Sequence, residues 1–136
     1  MKVIAIIVVG LFLVHCSRAM NFYLRNTTNN PVLIKAKLYN EESDGHIFYA
    51  AGIREVSFGL KEKFTQKLEP LQQEDDCFYF ELPSNATFFV SSGVNSISTN
   101  FSEIEIYMED AENIILNRMS LDLWTYRKSS YCYDIK

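Results

Sequence analysis

The sequence predicts an all-β domain, with a small antiparallel β-sandwich as the best-fitting architecture and a small β-barrel as the alternative. Three observations support this prediction. Short runs rich in Val, Ile, Phe and Tyr recur about every 8–12 residues, as they do in sandwiches and barrels. Apolar and polar residues alternate within several of these runs. The segments between the runs, such as NTTNNP, NEESDG and SGVNS, consist of turn-forming residues.

Residues 1–19 precede this domain and have the composition of a cleavable signal peptide. A lysine follows the initiator methionine, and residues 3–14 form an apolar run of twelve. The apolar core of a signal peptide is about 7–15 residues long, whereas a membrane-spanning helix needs about 20. Ser17 and Ala19 supply the small residues that signal peptidase requires, so we expect cleavage after Ala19. The sequence therefore predicts a secreted, extracellular protein with a single domain, residues 20–136.

Nine runs within this domain are predicted to be strands. In residues 32–39, Ile34 and Ala36 fall on one face, and Lys35 and Lys37 fall on the other. A period of two is typical of a strand that buries one face and exposes the other. The predicted strands comprise residues 22–25, 32–39, 47–50, 54–60, 77–82, 86–91, 103–108, 113–117 and 121–126.

One stretch is ambiguous between strand and helix. Leu60, Phe64 and Leu68 recur at every fourth position, which is the spacing of an amphipathic helix. The residues leading into Leu60 alternate as in a strand, however. We therefore expect a strand up to about Leu60, followed by another strand or by one short helix near residues 60–69, ending before Pro70.

The two cysteines of the mature domain are predicted to form a disulfide. Cys16 is lost with the signal peptide, which leaves Cys77 and Cys132 as the one possible internal pair. Thiols in an oxidising compartment usually pair. The alternatives are two free thiols or a bridge between chains.

Three Asn-x-Ser/Thr sequons make Asn26, Asn85 and Asn100 candidate sites of N-glycosylation. Each asparagine must lie on the surface to carry a glycan. All three fall where the strand pattern predicts strand ends or turns, which is compatible with surface positions.

Aromatic residues near the C-terminus are the candidate binding site. In the predicted strand 121–126, the two leucines lie opposite Trp124. If the leucines face the core, Trp124 and Tyr126 face outward, and with Tyr131 they could anchor a protein or glycan partner. In the alternative interpretation, these rings pack beneath the C-terminal tail.

Charge and motif content argue against several classes of function. Cleavage removes Lys2 and Arg18, which leaves 11 basic side chains against 17 acidic ones, a net charge of −6. An acidic domain repels nucleic acid and anionic membranes, and no apolar run after residue 19 could span a membrane. The mature domain retains one histidine, His46, beside an Asp-Gly turn signal. The chain carries no recognisable nucleotide-binding or zinc motif, so no catalytic residue, metal or cofactor is predicted.

The acidic side chains at predicted loop tips could serve a different chemistry. Asp75 and Asp76, together with Glu109 and Asp110, are interpreted as solvated turn residues, with a Ca²⁺ site as the alternative. A hydrolase would need two carboxylates facing one cleft.

These observations favour a secreted, non-enzymatic binding or effector module that engages an extracellular protein or a surface glycan. A carrier of a small apolar ligand is the alternative, and a carboxylate-based hydrolase is a third hypothesis. A large internal apolar cavity would favour the carrier, and two converging acids in a cleft would favour the enzyme. An exposed apolar patch over a solid core would favour the binding module.

Overall fold

The computed structural model describes residues 20–39, 46–54, 64, 66–93, 101–117, 120–128 and 130–136, and these form eleven strands and no helix. The predicted signal peptide, Asn100 and most of the predicted strand 54–60 lie outside the described residues. The strands are β1 (Met20–Asn26), β2 (Val32–Leu38), β3 (Ile47–Ala51), β4 (Gln66–Leu68), β5 (Gln72–Glu74), β6 (Cys77–Leu82), β7 (Ala86–Gly93), β8 (Phe101–Ile106), β9 (Ile114–Asn117), β10 (Thr125–Arg127) and β11 (Ser130–Ile135).

The strands form two sheets packed face to face, which confirms the predicted sandwich. The six-stranded sheet has the order β10-β11-β1-β7-β3-β4, and the five-stranded sheet has the order β5-β6-β2-β8-β9. Neighbouring strands are antiparallel except β1 and β11, which run parallel. Each sheet ends in two edge strands, so the described strands do not close into the alternative barrel.

The core lies between the sheets and is filled by the apolar residues that alternate along each strand. Ile34 and Ala36 are fully buried, whereas Lys35 and Lys37 lie on the outer face of the five-stranded sheet, as the period of two predicts. Aromatic rings fill the space between the sheets: the centroids of Phe80 and Phe88 are 5.1 Å apart in an edge-to-face arrangement.

The ambiguous stretch near residues 60–69 contains a strand where the structure describes it. Residues 66–68 form β4, which pairs with β3 through Ile47 and Leu68. Phe64 lies on the outer face of the six-stranded sheet, where its ring is stacked 5.7 Å from the ring of Tyr23. Residues 60–63 and 65 lie outside the described part of the chain.

Candidate binding surface

One edge of the sandwich is formed by β9, β10 and the turn between them. Asn117 ends β9, and its backbone N–H donates to the Ser120 Oγ at 2.8 Å. The Ser120 N–H donates in return to the Asn117 Oδ1 at 3.1 Å, and the Leu123 N–H donates to the Ser120 carbonyl at 3.0 Å. Short polar side chains that bond the backbone in this way favour turns over strands. The first part of the predicted strand 121–126 is therefore wrong: the chain turns until β10 begins at Thr125.

The turn places Trp124 inside the protein. Its side chain is 7% exposed, and its ring packs edge-on against Phe22 at 5.1 Å. The indole N–H donates to the Asn117 carbonyl at 3.1 Å. The prediction that Trp124 is an exposed anchor is therefore wrong, because the ring fills the core where β9 leads into β10.

The two leucines are exposed, whereas the strand pattern predicts that they face the core. Leu121 is 45% exposed and Leu123 is 44% exposed. Tyr126 is 52% exposed on β10, with its ring 5.1 Å from that of Tyr131. Tyr131 is half-buried and stacked on Phe22 at 5.0 Å, so it supports the surface from below. We call Leu121, Leu123 and Tyr126 the edge patch.

The edge patch lies in the part of the described chain where exposed apolar side chains are most concentrated. Seven large apolar residues among those that the structure describes are at least 40% exposed, and four of them fall within residues 115–126: Ile115 and the three members of the patch. Isolated exposed apolar residues are normal on a protein surface, whereas several on one short segment make that segment a candidate interaction site. Asp122, Arg127 and Lys128 are exposed beside the patch and give it charges of both signs.

Cys77 and Cys132 are free thiols in the structure, which therefore gives the predicted disulfide between them no support. Cys77 precedes the inward-facing Phe78, so its side chain lies on the outer face of the five-stranded sheet. Cys132 belongs to a cluster on the outer face of the six-stranded sheet. The two sheets and the core therefore separate the two sulfur atoms.

Both thiols are poor nucleophiles. Burial raises the pKa of Cys132 to about 12, and burial also raises the pKa of Cys77 above its ordinary value. The thiolate is the reactive form, so both groups stay protonated at neutral pH.

Two of the predicted glycosylation sites, Asn26 and Asn85, lie in the described part of the chain, and they differ in the structure. Asn26 is fully buried, and its Nδ2 donates to the carbonyls of Asn30 at 2.8 Å, Pro83 at 3.0 Å and Leu82 at 3.1 Å. The nitrogen that would carry a glycan is thus occupied in holding three segments together, and Asn26 is corrected from a surface site to a structural residue. Asn85 is exposed in the turn between β6 and β7.

The space between the sheets is largely filled. Phe22, Val90, Leu116 and Trp124 contribute to a cleft with a volume of about 10 Å³, which is roughly the space that one water molecule needs. Ligand pockets typically measure roughly 300–1,000 Å³. This cleft therefore gives the carrier hypothesis no support.

Acidic side chains near the predicted loop tips take part in local contacts. The Asp76 Oδ2 lies 3.7 Å from the Lys37 Nζ. Within the described ranges, no group of three or more His, Cys, Asp or Glu side chains is arranged to hold a metal ion. The same ranges contain no helix long and apolar enough to cross a membrane.

Comparisons with known proteins add no relative: no family model matches the chain, and neither the curated proteins nor the solved structures include a significant match.

Proposed function

We propose that this chain is a secreted binding module that engages another protein through the edge patch. The observation that carries the proposal is the concentration of exposed apolar side chains on one short segment, residues 115–126. Apolar anchors with charged residues at their border are typical of protein interfaces.

The backbone beneath the patch favours binding. The bonds between Asn117 and Ser120 fix the turn, and Trp124 anchors it in the core. A surface that is already ordered loses less conformational entropy when a partner binds.

The chemistry of the patch favours a protein over a glycan. Leu121 and Leu123 expose hydrocarbon that can neither donate nor accept a hydrogen bond. A glycan presents many hydroxyl groups, which would lose their bonds to water against two leucines. Apolar side chains of a partner protein would lose no hydrogen bonds to water on contact with the leucines.

The secreted character rests on the sequence, in which an apolar run of twelve residues is followed by the small residues Ser17 and Ala19. The raised pKa values of both thiols are compatible with it, because a thiol that stays protonated is slow to oxidise. We therefore expect the intact mass of the secreted product to start at Met20 and to include a glycan at Asn85 and none at Asn26. A product that starts after Met20, or a glycan on Asn26, would contradict this part of the proposal.

The binding proposal is tested with a triple variant, Leu121→Ser, Leu123→Ser and Tyr126→Ser. Leu71→Ser is the matched control, because Leu71 is 66% exposed just before β5, at the other edge of the five-stranded sheet. We expect the wild type and the control to capture the same protein by photo-crosslinking at the surface of producing cells. The triple variant should lose at least about tenfold in capture, as for the loss of interface hot spots. Equal capture by the triple variant would exclude the edge patch as the binding surface.

A further inference from the structure

We infer that the edge patch binds a second copy of this chain, with the two β10 strands paired antiparallel about a two-fold axis at Tyr126. This inference rests on the proposed function, because it names the partner of the same surface. It follows from the direction of the β10 backbone groups and from the arrangement of charge around the patch.

The register of the β10–β11 hairpin leaves Tyr126 with outward-pointing backbone groups. Arg127 pairs with Ser130 across a two-residue turn, and Lys128 has a φ of 46°, as the favoured hairpin turn requires. Residues that flank such a turn exchange hydrogen bonds, so the next pair, Tyr126 and Tyr131, does not. The N–H and C=O of Tyr126 therefore point away from β11.

β10 lies at an edge of the sandwich. Among the described strands it is the last of the six-stranded sheet, and all three of its residues are exposed. An exposed edge strand presents unpaired backbone groups that can pair with another strand.

The neighbouring edge strand, β9, is protected at its end. The Asn117 N–H is taken by the Ser120 hydroxyl, and the Asn117 carbonyl accepts the indole N–H of Trp124. Both backbone groups of this residue are thus bonded within the chain. These two groups are therefore not available to a second strand, whereas those of Tyr126 point outward.

Two copies of this edge can pair with each other about a two-fold axis. In an antiparallel pair centred on Tyr126, the N–H of each copy donates to the C=O of the other, which gives two equivalent hydrogen bonds. A two-fold axis brings each surface against itself, so residue pairs occur twice. Arg127 and Lys128 at the end of one strand then approach the turn that carries Asp122 of the other copy. A surface with an apolar centre and charges of both signs is complementary to itself.

The short length of β10 sets the expected strength. Three paired residues and the flanking leucines bury less than the roughly 1,200 Å² of a stable complex, so the dimer is a weak one. We expect a dissociation constant of roughly 10 μM to 1 mM, the range of transient complexes.

Sedimentation velocity on the secreted chain, over concentrations from about 10 μM to 1 mM, tests the inference. We expect the wild type to shift from monomer to dimer. Tyr126→Pro should stay monomeric, because proline removes the outward N–H and is tolerated on an edge strand at such a position. Tyr126→Thr retains the N–H and should retain part of the association.

Charge reversal provides a second test that does not depend on proline. Asp122→Arg and the double variant Arg127→Glu, Lys128→Glu should each lose self-association, and an equimolar mixture should form a mixed dimer. Failure of the mixture to associate, or a wild type that stays monomeric throughout, would overturn the inference. If the wild type stays monomeric while the triple patch variant still loses a captured protein, the proposed function stands with a different partner. If the patch variant changes neither measurement, both proposals fail.

Discussion

The outer faces of the two sheets differ sharply in what covers them. The outer face of the six-stranded sheet carries a second, small apolar cluster in which Tyr23, Phe64 and Cys132 are each at most 7% exposed. The outer face of the five-stranded sheet carries polar and charged side chains such as Lys35 and Glu105, whose Nζ and Oε2 lie 3.7 Å apart. One face is a packed layer, and the other is a solvated surface.

The sequence of the strands accounts for this difference. β2 alternates apolar and basic residues, as a strand with one solvated face does. β1 contains consecutive apolar residues from Phe22 to Leu24, and β7 contains consecutive phenylalanines at positions 88 and 89. Loss of alternation in a strand of an antiparallel sheet therefore indicates a second covered face.

The ion pairs on the outer faces of the two sheets also differ. Arg25 and Asp134 pair in parallel register on β1 and β11, with two short contacts: 2.5 Å from Nε to Oδ1 and 2.6 Å from Nη2 to Oδ2. Such a two-point contact fixes both side chains. On the other sheet, Glu105 shares its carboxylate among Lys35, Tyr107 and Asn113, at distances from 2.9 to 3.7 Å.

The largest expected loss of stability comes from removing an aromatic ring from the outer face of the six-stranded sheet. Phe64→Ala removes a ring that packs on Tyr23 and Phe89, so we expect the free energy of unfolding to fall by about 3 kcal/mol. Tyr79→Ala on the half-buried face of β6 should cost about 1 kcal/mol or less. Urea unfolding measures both. Equal losses would mean that the outer face of the six-stranded sheet is no more tightly packed than its counterpart.

The cysteines provide a second, smaller contrast. Cys132→Ser places a hydroxyl in an apolar cluster at a position 2% exposed, and should cost about 2 kcal/mol. Cys77→Ser, at a half-buried position, should change stability by less than about 0.5 kcal/mol.

Alkylation followed by mass spectrometry checks the state of these thiols. We expect Cys77 to be labelled slowly in the folded protein and Cys132 to be labelled only after unfolding, without any reductant. If neither cysteine is labelled in denaturant until a reductant is added, the two are joined by a disulfide after all.

The fold was predictable because alternation and turn residues act locally. The strands around Ile34 and Ile104 have apolar residues at every second position, and both side chains are fully buried. The sandwich then follows from the number and spacing of such strands. Topology was not predictable, because the parallel pairing of β1 with β11 joins residues more than 100 positions apart.

The candidate site was predictable in part. The sequence located the segment near Trp124 and Tyr126, but alternation places Trp124 on the surface and the two leucines in the core, the reverse of their observed positions. Alternation was extended into residues that form a turn, and the turn depends on bonds between Asn117 and Ser120. An Asn followed three positions later by a Ser was the one local signal available.

Long-range contacts also decide the positions of Asn26 and of the two cysteines. Asn26 lies in a sequon, but its amide reaches Leu82 and Pro83 in a distant hairpin. No local pattern encodes that contact. The disulfide was predicted because the mature domain has only two cysteines. In the structure, Cys77 and Cys132 lie on different sheets.

The smallest expected effect concerns the pH dependence of the two ion pairs. Burial alone would raise the pKa of Asp134, but the hydrogen bonds and charge of Arg25 outweigh it and hold this pKa below its ordinary value. As pH falls, the unfolded chain therefore binds a proton at this group before the folded chain does. The stability contributed by Asp134 is present above about pH 4, the ordinary pKa of an aspartate, and is lost as pH falls through the lower folded value.

Asp134→Asn removes this contribution, so the variant should be less stable than the wild type by about 1 kcal/mol at pH 7. The difference should narrow as the pH falls from about 5 to 2. Glu105→Gln, which breaks the solvated pair with Lys35, is the matched control and should leave stability at pH 7 within the error of the measurement. Unfolding midpoints across this pH range test both variants. If the unfolding midpoints of Asp134→Asn and of the wild type change in parallel with pH, the Arg25–Asp134 pair contributes no more to stability than the Lys35–Glu105 pair does.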